Sequence, residues 1–519
     1  MPNIFWFRRD LRLRDNVALA QAASQGPVVP VFIFSKELGE DFDRPRIQYL
    51  VSALNSLNDS IEGSLVIRFG DPCQILEELC SETGSNSVFA TKSFSTYRRK
   101  EDKVVSDFLE QRDIDCTLTG SPYAVEPGSI FNKSGSPYKV FTPFFRAWKE
   151  YGWDSLIESD SRSELPQDRD SGLPHDRDSG LPHDRHSQPP QPRHSRLTQP
   201  RHSRLTQPRH SRLTQPRHSR LTQPRHSRLR SGISHEWFQN IASEQLPKVS
   251  EFKSILGSGG EPEAHDRLDK FLNSAVSGYK TQRDLPAVDG TSLLSHYLKW
   301  GVLHPRQILD RLGPSPAEDV FRSEICWREF YADVLFHRPE TATEAFSEKM
   351  AKLRTDSGPE TDNDFNAWCS GKTGFPIVDA GMRQLVSTGW MHNRVRMIVA
   401  SFLTKDLHLD WQRGADFFMH HLADGDLASN SHGWQWTAGT GTDASPYFRV
   451  FNQTTQSKKF DPAGTYLREW IPEIAHLSDK HIHEPWKDPH GAPAGYPLPI
   501  VDHSEERLEA LARYEEIRS

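Results

Sequence analysis

Short apolar runs alternate with amphipathic helical patterns across the first 135 residues, and this alternation restricts the fold more than any other feature of the chain. Residues 4–7 (IFWF), 28–34 (VVPVFIF), 64–69 (SLVIRF) and 87–91 (SVFAT) have the length and the Val, Ile and Phe content of buried strands. Between them Ile47, Leu50, Val51, Leu54 and Leu57 recur at helical spacing, as do Ile75, Leu76 and Leu79, and then Val104, Val105 and Phe108. Strands separated by helices predict a parallel sheet covered on both faces, hence an α/β domain over residues 1–135. No GxGxxG follows the first strand and no GxxxxGK[ST] occurs, which argues against the usual dinucleotide and triphosphate cradles.

At 519 residues the chain exceeds one ordinary core, so two domains and a long insertion are expected. The insertion lies within a linker of residues 136–234. LPxDRxSG-like units begin at Leu165, Leu173 and Leu181, and RHSRLTQP units at Arg193, Arg201, Arg209 and Arg217. Eight-residue repeats of this kind carry too little apolar surface to offset the entropy of ordering, so disorder is expected over 165–230. A basic arm for phosphates and a tolerated linker expansion are both open readings, and the strict repetition favours the second. The net charge of −7 conceals this segment: eleven arginines without an acid in 193–230 leave about −18 elsewhere, so any DNA site must be a local basic patch.

Residues 235–519 read as helix throughout, broken by Pro and Gly, and hold most of the tryptophans. An all-α C-terminal domain is expected. The five cysteines are scattered without a CxxC. His420 with His421, and His481 with His483, lack an accompanying carboxylate or thiol framework, so no metal site is predicted. The apolar runs are too short to cross a bilayer and the N-terminus lacks a signal-peptide pattern; a cytoplasmic protein is expected.

The segment from Gly389 to Arg449 concentrates the chemistry. It gathers Asn393, Arg396, Met397, Asp424, Asp426 and Asn430 with Trp390, Trp411, Trp434 and Trp436, a set of polar hooks and flat apolar surfaces suited to a buried planar ligand with a polar edge. On a helix Asn393, Arg396 and Met397 share one face, while Arg394 points elsewhere. Upstream, DGTSLLSHYLKWG begins a helix whose Thr291, Ser292 and Ser295 hydroxyls suit either a phosphate or a simple N-cap. DGDLASN lacks the acid and glycine positions of a calcium loop. SEICWREFYADVL brings Glu324, Trp327 and Arg328 within about a turn, which fits base stacking and a carboxyl edge contact, or equally a buried Trp beside a surface ion pair.

Taken in order, RRDLRLRDN, RDLPAVDGTSLLS, SEICWREFY, KTGFPIVDAGMRQL, GWMHNRVRM, DGDLASN and WQWTAGTGTDASPYFRVFN resemble the photolyase and cryptochrome family. The resemblance implies an N-terminal antenna domain and a helical domain holding FAD, with a second antenna chromophore, folate or deazaflavin, left open. It implies that Tyr279, Thr291, Ser292, Leu294 and Ser295 surround the FAD phosphates, and that Arg328, Trp390, Asn393, Arg396, Asp424, Asp426 and Asn430 belong to the rest of the cofactor site. Within the family, Asn393 with Glu324, Trp327 and Met397 resembles the lesion pocket of the first class of cyclobutane pyrimidine dimer photolyases. Arg283, Arg394 and Arg449 match positions expected at DNA phosphates. The implied activity is light-driven dimer splitting in single- or double-stranded DNA by a monomer; the alternative is a blue-light photoreceptor without repair.

Two departures stand out. Trp434 and Trp411 match the first two tryptophans of the family's electron route, but no tryptophan lies between Trp327 and Trp368, where a third is expected. The stretch 92–100 (KSFSTYRRK) has none of the acidic positions expected around either antenna chromophore.

Overall fold

The computed structural model describes residues 1–38, 43–157, 241–249, 256–443 and 449–518. All of them belong to one compact unit formed by Met1–Ser159 and Ser227–Ser519. The repeats at 165–230 lie outside the described residues.

Five parallel strands, β1 (Asn3–Phe7), β2 (Val28–Phe34), β3 (Val66–Phe69), β4 (Ser87–Thr91) and β5 (Asp115–Thr119), form one sheet in the order β3-β2-β1-β4-β5. Helices α1 (Val17–Gln25), α2 (Pro45–Ser60), α3 (Pro72–Thr83) and α4 (Thr96–Glu110) alternate with the strands. Asn16 and Asp71 cap α1 and α3 by accepting backbone N–H bonds. The strand β5 was not expected; its residues are exposed or half-buried, so the run DCTLT lacks a continuous apolar signature.

Alternation along the strands sorts side chains into two cores. Ile4, Trp6, Val31, Ile33 and Val88 pack with Leu76, Leu79, Val105 and Leu109 of α3 and α4. Phe5, Phe7, Phe32 and Phe89 face the other way, into a core shared with α2 and with Tyr297, Trp300, Leu303 and Phe330 from the second half of the chain. The predicted stripe on α2 is buried as a unit, from Ile47 to Leu57.

The chain leaves the sheet through α5 (Phe141–Tyr151) and resumes as helices: α6 (Glu261–Ser274), α7 (Tyr279–Gln282), α8 (Ser295–Trp300), α9 (Pro305–Leu309), α10 (Pro316–His337), α11 (Pro359–Cys369), α12 (Pro376–Thr388) and α13 (Asn393–Lys405). The remainder are α14 (Trp411–His421), α15 (Leu427–Ala438), α16 (Gln453–Phe460), α17 (Thr465–Trp470) and α18 (His503–Arg518). A further core of Trp368, Met382, Val395, Phe402, Trp434 and Tyr466 binds α11 to α17.

Buried carboxylates join the two halves. Glu329 of α10 accepts the backbone N–H groups of Ala124 and Val125 and the Trp148 indole N–H, at 2.5, 3.1 and 2.7 Å. Burial pushes its carboxyl up, against these three donors. Asp333, one turn later, accepts Gly128 N–H at 2.7 Å. Asp15 holds the Arg306 guanidinium in a buried pair at 2.9 Å. Gly301 caps α8 in the left-handed region (φ 65°), where a Cβ would come within 2.0 Å of the Arg9 carbonyl.

Replacing Glu329 by Ala strands three buried donors, so E329A should lose about 3 kcal/mol or more of unfolding free energy. Urea denaturation, read at an unchanged m-value, checks this.

Candidate functional site

A cavity of about 720 Å³ opens among α7, α8, α10, α13, α14 and α15. Its wall on α13 follows from helical spacing: His392 caps the helix by accepting Arg394 N–H, and Asn393, Arg396 and Met397 all line the cavity. Arg394 lines it as well, although expected on another face, and pairs with Asp284 at 2.9 Å while its guanidinium lies 4.6 Å from the Phe460 ring centre.

Arg396 donates from Nε to the Met391 carbonyl at 2.8 Å and from Nη2 to Asp424 at 2.9 Å. Asp424 accepts the Ser295 hydroxyl at 2.6 Å as well, so one carboxylate joins α13, the start of α8 and the loop before α15. Asp426 caps α15 by accepting Ser429 N–H and pairs with Arg9 at 2.7 Å, with Lys299 Nζ at 3.9 Å. Burial alone would raise the Asp426 carboxyl. Arg9, then Lys299 and Arg328, override it and hold the group well below the usual carboxylate range. Asn430 is fixed by its donation to Ala415 O at 3.0 Å.

Glu324 and Arg283, also in the wall, pair at 2.5 Å, and Trp327 and Tyr279 line the same cavity. Burial raises the Glu324 carboxyl, with Arg283 pulling the other way. Arg328 reaches two carbonyls, Pro122 and Leu298, each at 3.2 Å, and lies 4.5 Å from the Tyr123 ring centre. Ser292 and Leu294 line the cavity as well, as does Arg449.

Two expected cofactor residues stand apart from the cavity. The helix of the DGTSLLS segment starts at Ser295, so Thr291 lies in the preceding loop with its carbonyl accepting Arg267 Nη2 at 2.9 Å. Trp390 follows the left-handed Gly389 cap and turns edge-on to His392, 6.2 Å away. Trp434 lines the cavity and contacts Trp368 and Phe418 at 6.1 and 5.0 Å between ring centres. Trp411 opens α14 as a buried residue behind the wall. Gly414 makes room for this packing: a Cβ there would come within 2.1 Å of the Trp434 ring.

Sequence reasoning missed Lys299, Tyr331, Asp443 and Arg9. Lys299 lies one turn after Ser295 on α8, and Tyr331 one turn after Trp327 on α10, so helical spacing carried a signal for both. Asp443 comes from the loop after α15. Arg9 is 417 positions from its partner Asp426, which no local pattern reveals.

A second, smaller hollow of about 60 Å³ sits at the C-terminal ends of the strands, lined by Trp6, Arg8, Phe32 and Thr91. Lys92, Ser93, Phe94, Ser95 and Arg98 of the acid-free stretch add to it. Among the described residues no group of three or more His, Cys, Asp or Glu side chains is arranged to hold a metal ion, and no helix is long and apolar enough to cross a membrane.

A parallel α/β layer packed on a helical half, with the larger of the two hollows among the helices rather than at the sheet, defines a two-part α/β and all-α architecture. Comparison with known proteins gives the same architecture a family. Residues 3–164 match DNA photolyase and residues 321–516 match the FAD binding domain of DNA photolyase. The deoxyribodipyrimidine photo-lyase of Agrobacterium fabrum is 37% identical over 100% of this chain and 98% of its own. That of Escherichia coli is 35% identical, covering 99% of each. A bacterial class III photolyase structure from Agrobacterium tumefaciens superposes with a TM-score of 0.77 at 33% identity, covering 100% of this chain and 98% of that one. The chain belongs to the DNA photolyase family. A class III enzyme stands among the similar structures, and what the comparisons share is the family.

The cofactor is FAD, and the cavity residues fit it. The space matches a large ligand, and the buried Trp434 indole N–H has no acceptor among the described residues. Ser292 and Lys299 offer donors for phosphate, and Asp424 and Asp426 offer acceptors for ring and sugar groups.

Two outcomes are expected. Asp424→Ala removes the shared acceptor of Arg396 and Ser295, so the FAD dissociation constant should rise about tenfold or more, measured by flavin fluorescence. Lys405 is buried and donates to the Arg449 carbonyl; burial pulls its pKa down to about 7, against Asp406. A lysine lowered in the fold and near 10.4 when unfolded makes stability rise with pH between about 7 and 10, by up to about 1.4 kcal/mol per unit. Lys405→Met should flatten that slope in unfolding measured across the window.

Proposed function

We propose that the chain is a light-dependent DNA repair enzyme that splits cyclobutane pyrimidine dimers. The observation that carries this reading is one cavity lined by two sets of residues: Asn393, Arg396, Asp424 and Asp426, and Glu324, Trp327 and Met397, all facing the same space. FAD, held there in its reduced form and excited by blue light, would supply an electron to open the cyclobutane ring and would take it back, with no net redox change.

In this reading the cofactor is held by Tyr279, Ser292, Leu294, Ser295, Arg328, Asn393, Arg396, Asp424, Asp426 and Asn430. Thr291 and Trp390 act from behind the wall. The lesion leaves the duplex, at a cost of about a few kcal/mol that is smaller for a dimer than for an intact pair. Trp327 then packs against it, Glu324 holds the pyrimidine edge and Met397 fills the apolar side. Arg283, Arg394 and Arg449 carry the flanking phosphates. Asn393 meets the flavin with a neutral amide, which adds no second anion to the site. Trp434 and Trp411 conduct electrons to resting flavin. The smaller hollow is the place for a second chromophore. The protein acts as a monomer on single- or double-stranded DNA in the cytoplasm, with a sheet domain over residues 1–135 and a helical domain over residues 235–519 that share a core.

The test is an oligonucleotide carrying one thymine dimer, incubated with protein and reductant in blue light and in darkness. Dimer loss only under illumination is expected; an intact dimer in light with FAD bound would favour a receptor. Lesion affinity should also fall as pH drops through the raised Glu324 pKa, because protonation removes the carboxylate acceptor, and Glu324→Gln should abolish this dependence.

A further inference from the structure

The aromatic platform of the cavity is backed by a residue from the other half of the chain. Phe141, the first residue of α5, lies face to face with Trp327, ring centres 3.7 Å apart and planes within 7°. With one indole face covered at van der Waals distance, Trp327 meets the cavity with its other face or its edge.

Phe141 is itself held. It is buried, stacks on Phe145 at 5.7 Å and meets Phe330 edge-on at 5.8 Å. Two turns later the Trp148 indole N–H donates to Glu329, so α5 is pinned to α10 at both ends. A second grip lies beside the first. The Lys139 carbonyl accepts the Thr442 hydroxyl at 2.6 Å and Asp443 N–H at 3.1 Å, and Asp443 lines the same cavity as Trp327. The segment 139–141 therefore holds two residues that line one hollow, Trp327 and Asp443.

Stacking of a base on an indole gains most when the ring plane is already set, because no rotamer freedom is then lost on binding. We propose that Phe141 is a positioning residue for lesion recognition, fixing the plane of Trp327 before an extruded dimer arrives. This rests on the reading that Trp327 packs against the dimer, so both residues are tested together.

The measurement is dark binding of FAD-loaded full-length protein to a thymine-dimer oligonucleotide and to its undamaged copy, followed by steady-state repair in light. Phe141→Leu keeps an apolar side chain, somewhat smaller, and removes the stack. It should weaken dimer binding about fivefold and raise KM correspondingly, with kcat, FAD content and undamaged-DNA binding within about twofold of wild type. Phe141→Tyr keeps the ring and should restore dimer binding, which separates lost stacking from lost folding.

Dimer binding by F141L equal to wild type, with Trp327→Ala losing about tenfold, would overturn the role of Phe141 and leave that of Trp327 standing. Unchanged binding by W327A would remove both roles. Equal loss on damaged and undamaged DNA, or loss of FAD, would show that Phe141 supports the fold in general and would also overturn the proposal.

Discussion

A carboxylate removed from water must be met by donors, and the seating of the two halves of this protein is organised by that requirement. Glu329, Asp333 and Asp15 are buried, and their partners come from across the junction: Ala124, Val125 and Trp148; Gly128; and Arg306. Each bond has modest net value, but an unmet donor or acceptor at such a place is costly, so the junction has one good arrangement rather than several close ones. The cavity inherits that uniqueness, since α10 carries both the clamp at Glu329 and the wall residues Glu324, Trp327, Arg328 and Tyr331.

The same junction supplies charge to the ligand site. Arg9 follows β1 and borders the smaller hollow, yet its guanidinium pairs with Asp426 in the larger cavity and its Nε donates to the Lys299 carbonyl. Arg328 makes the reverse crossing, from the large cavity to Pro122 and Tyr123 beside the small one. Two cations thus stand in the wall between the hollows.

Much of this was legible in the sequence where the physics is local. Four strands and the α2 stripe follow from apolar period, and the α13 face of Asn393, Arg396 and Met397 from helix geometry. The strand β5 was hidden because an edge strand with half-buried residues has little apolar pattern to read. The start of α8 was placed too early because hydroxyl residues serve loops as readily as caps, and here Leu293 adopts φ 51° just before the helix. Arg9 and Phe141 were invisible for another reason: their partners Asp426 and Trp327 are distant in sequence, and only the packed junction brings them together.

The two cores of the sheet have unequal freedom. Among the described residues the outer one touches α3, α4 and the segment around Ile241, none of which lines the large cavity. The inner one is continuous with the helices that do. Mutational drift should consequently be lopsided across a single sheet: exchanges of one aliphatic for another at Val31 or Leu79 are absorbed locally, whereas the same exchange at Leu50 or Leu54 disturbs a core that the cavity-lining helices share.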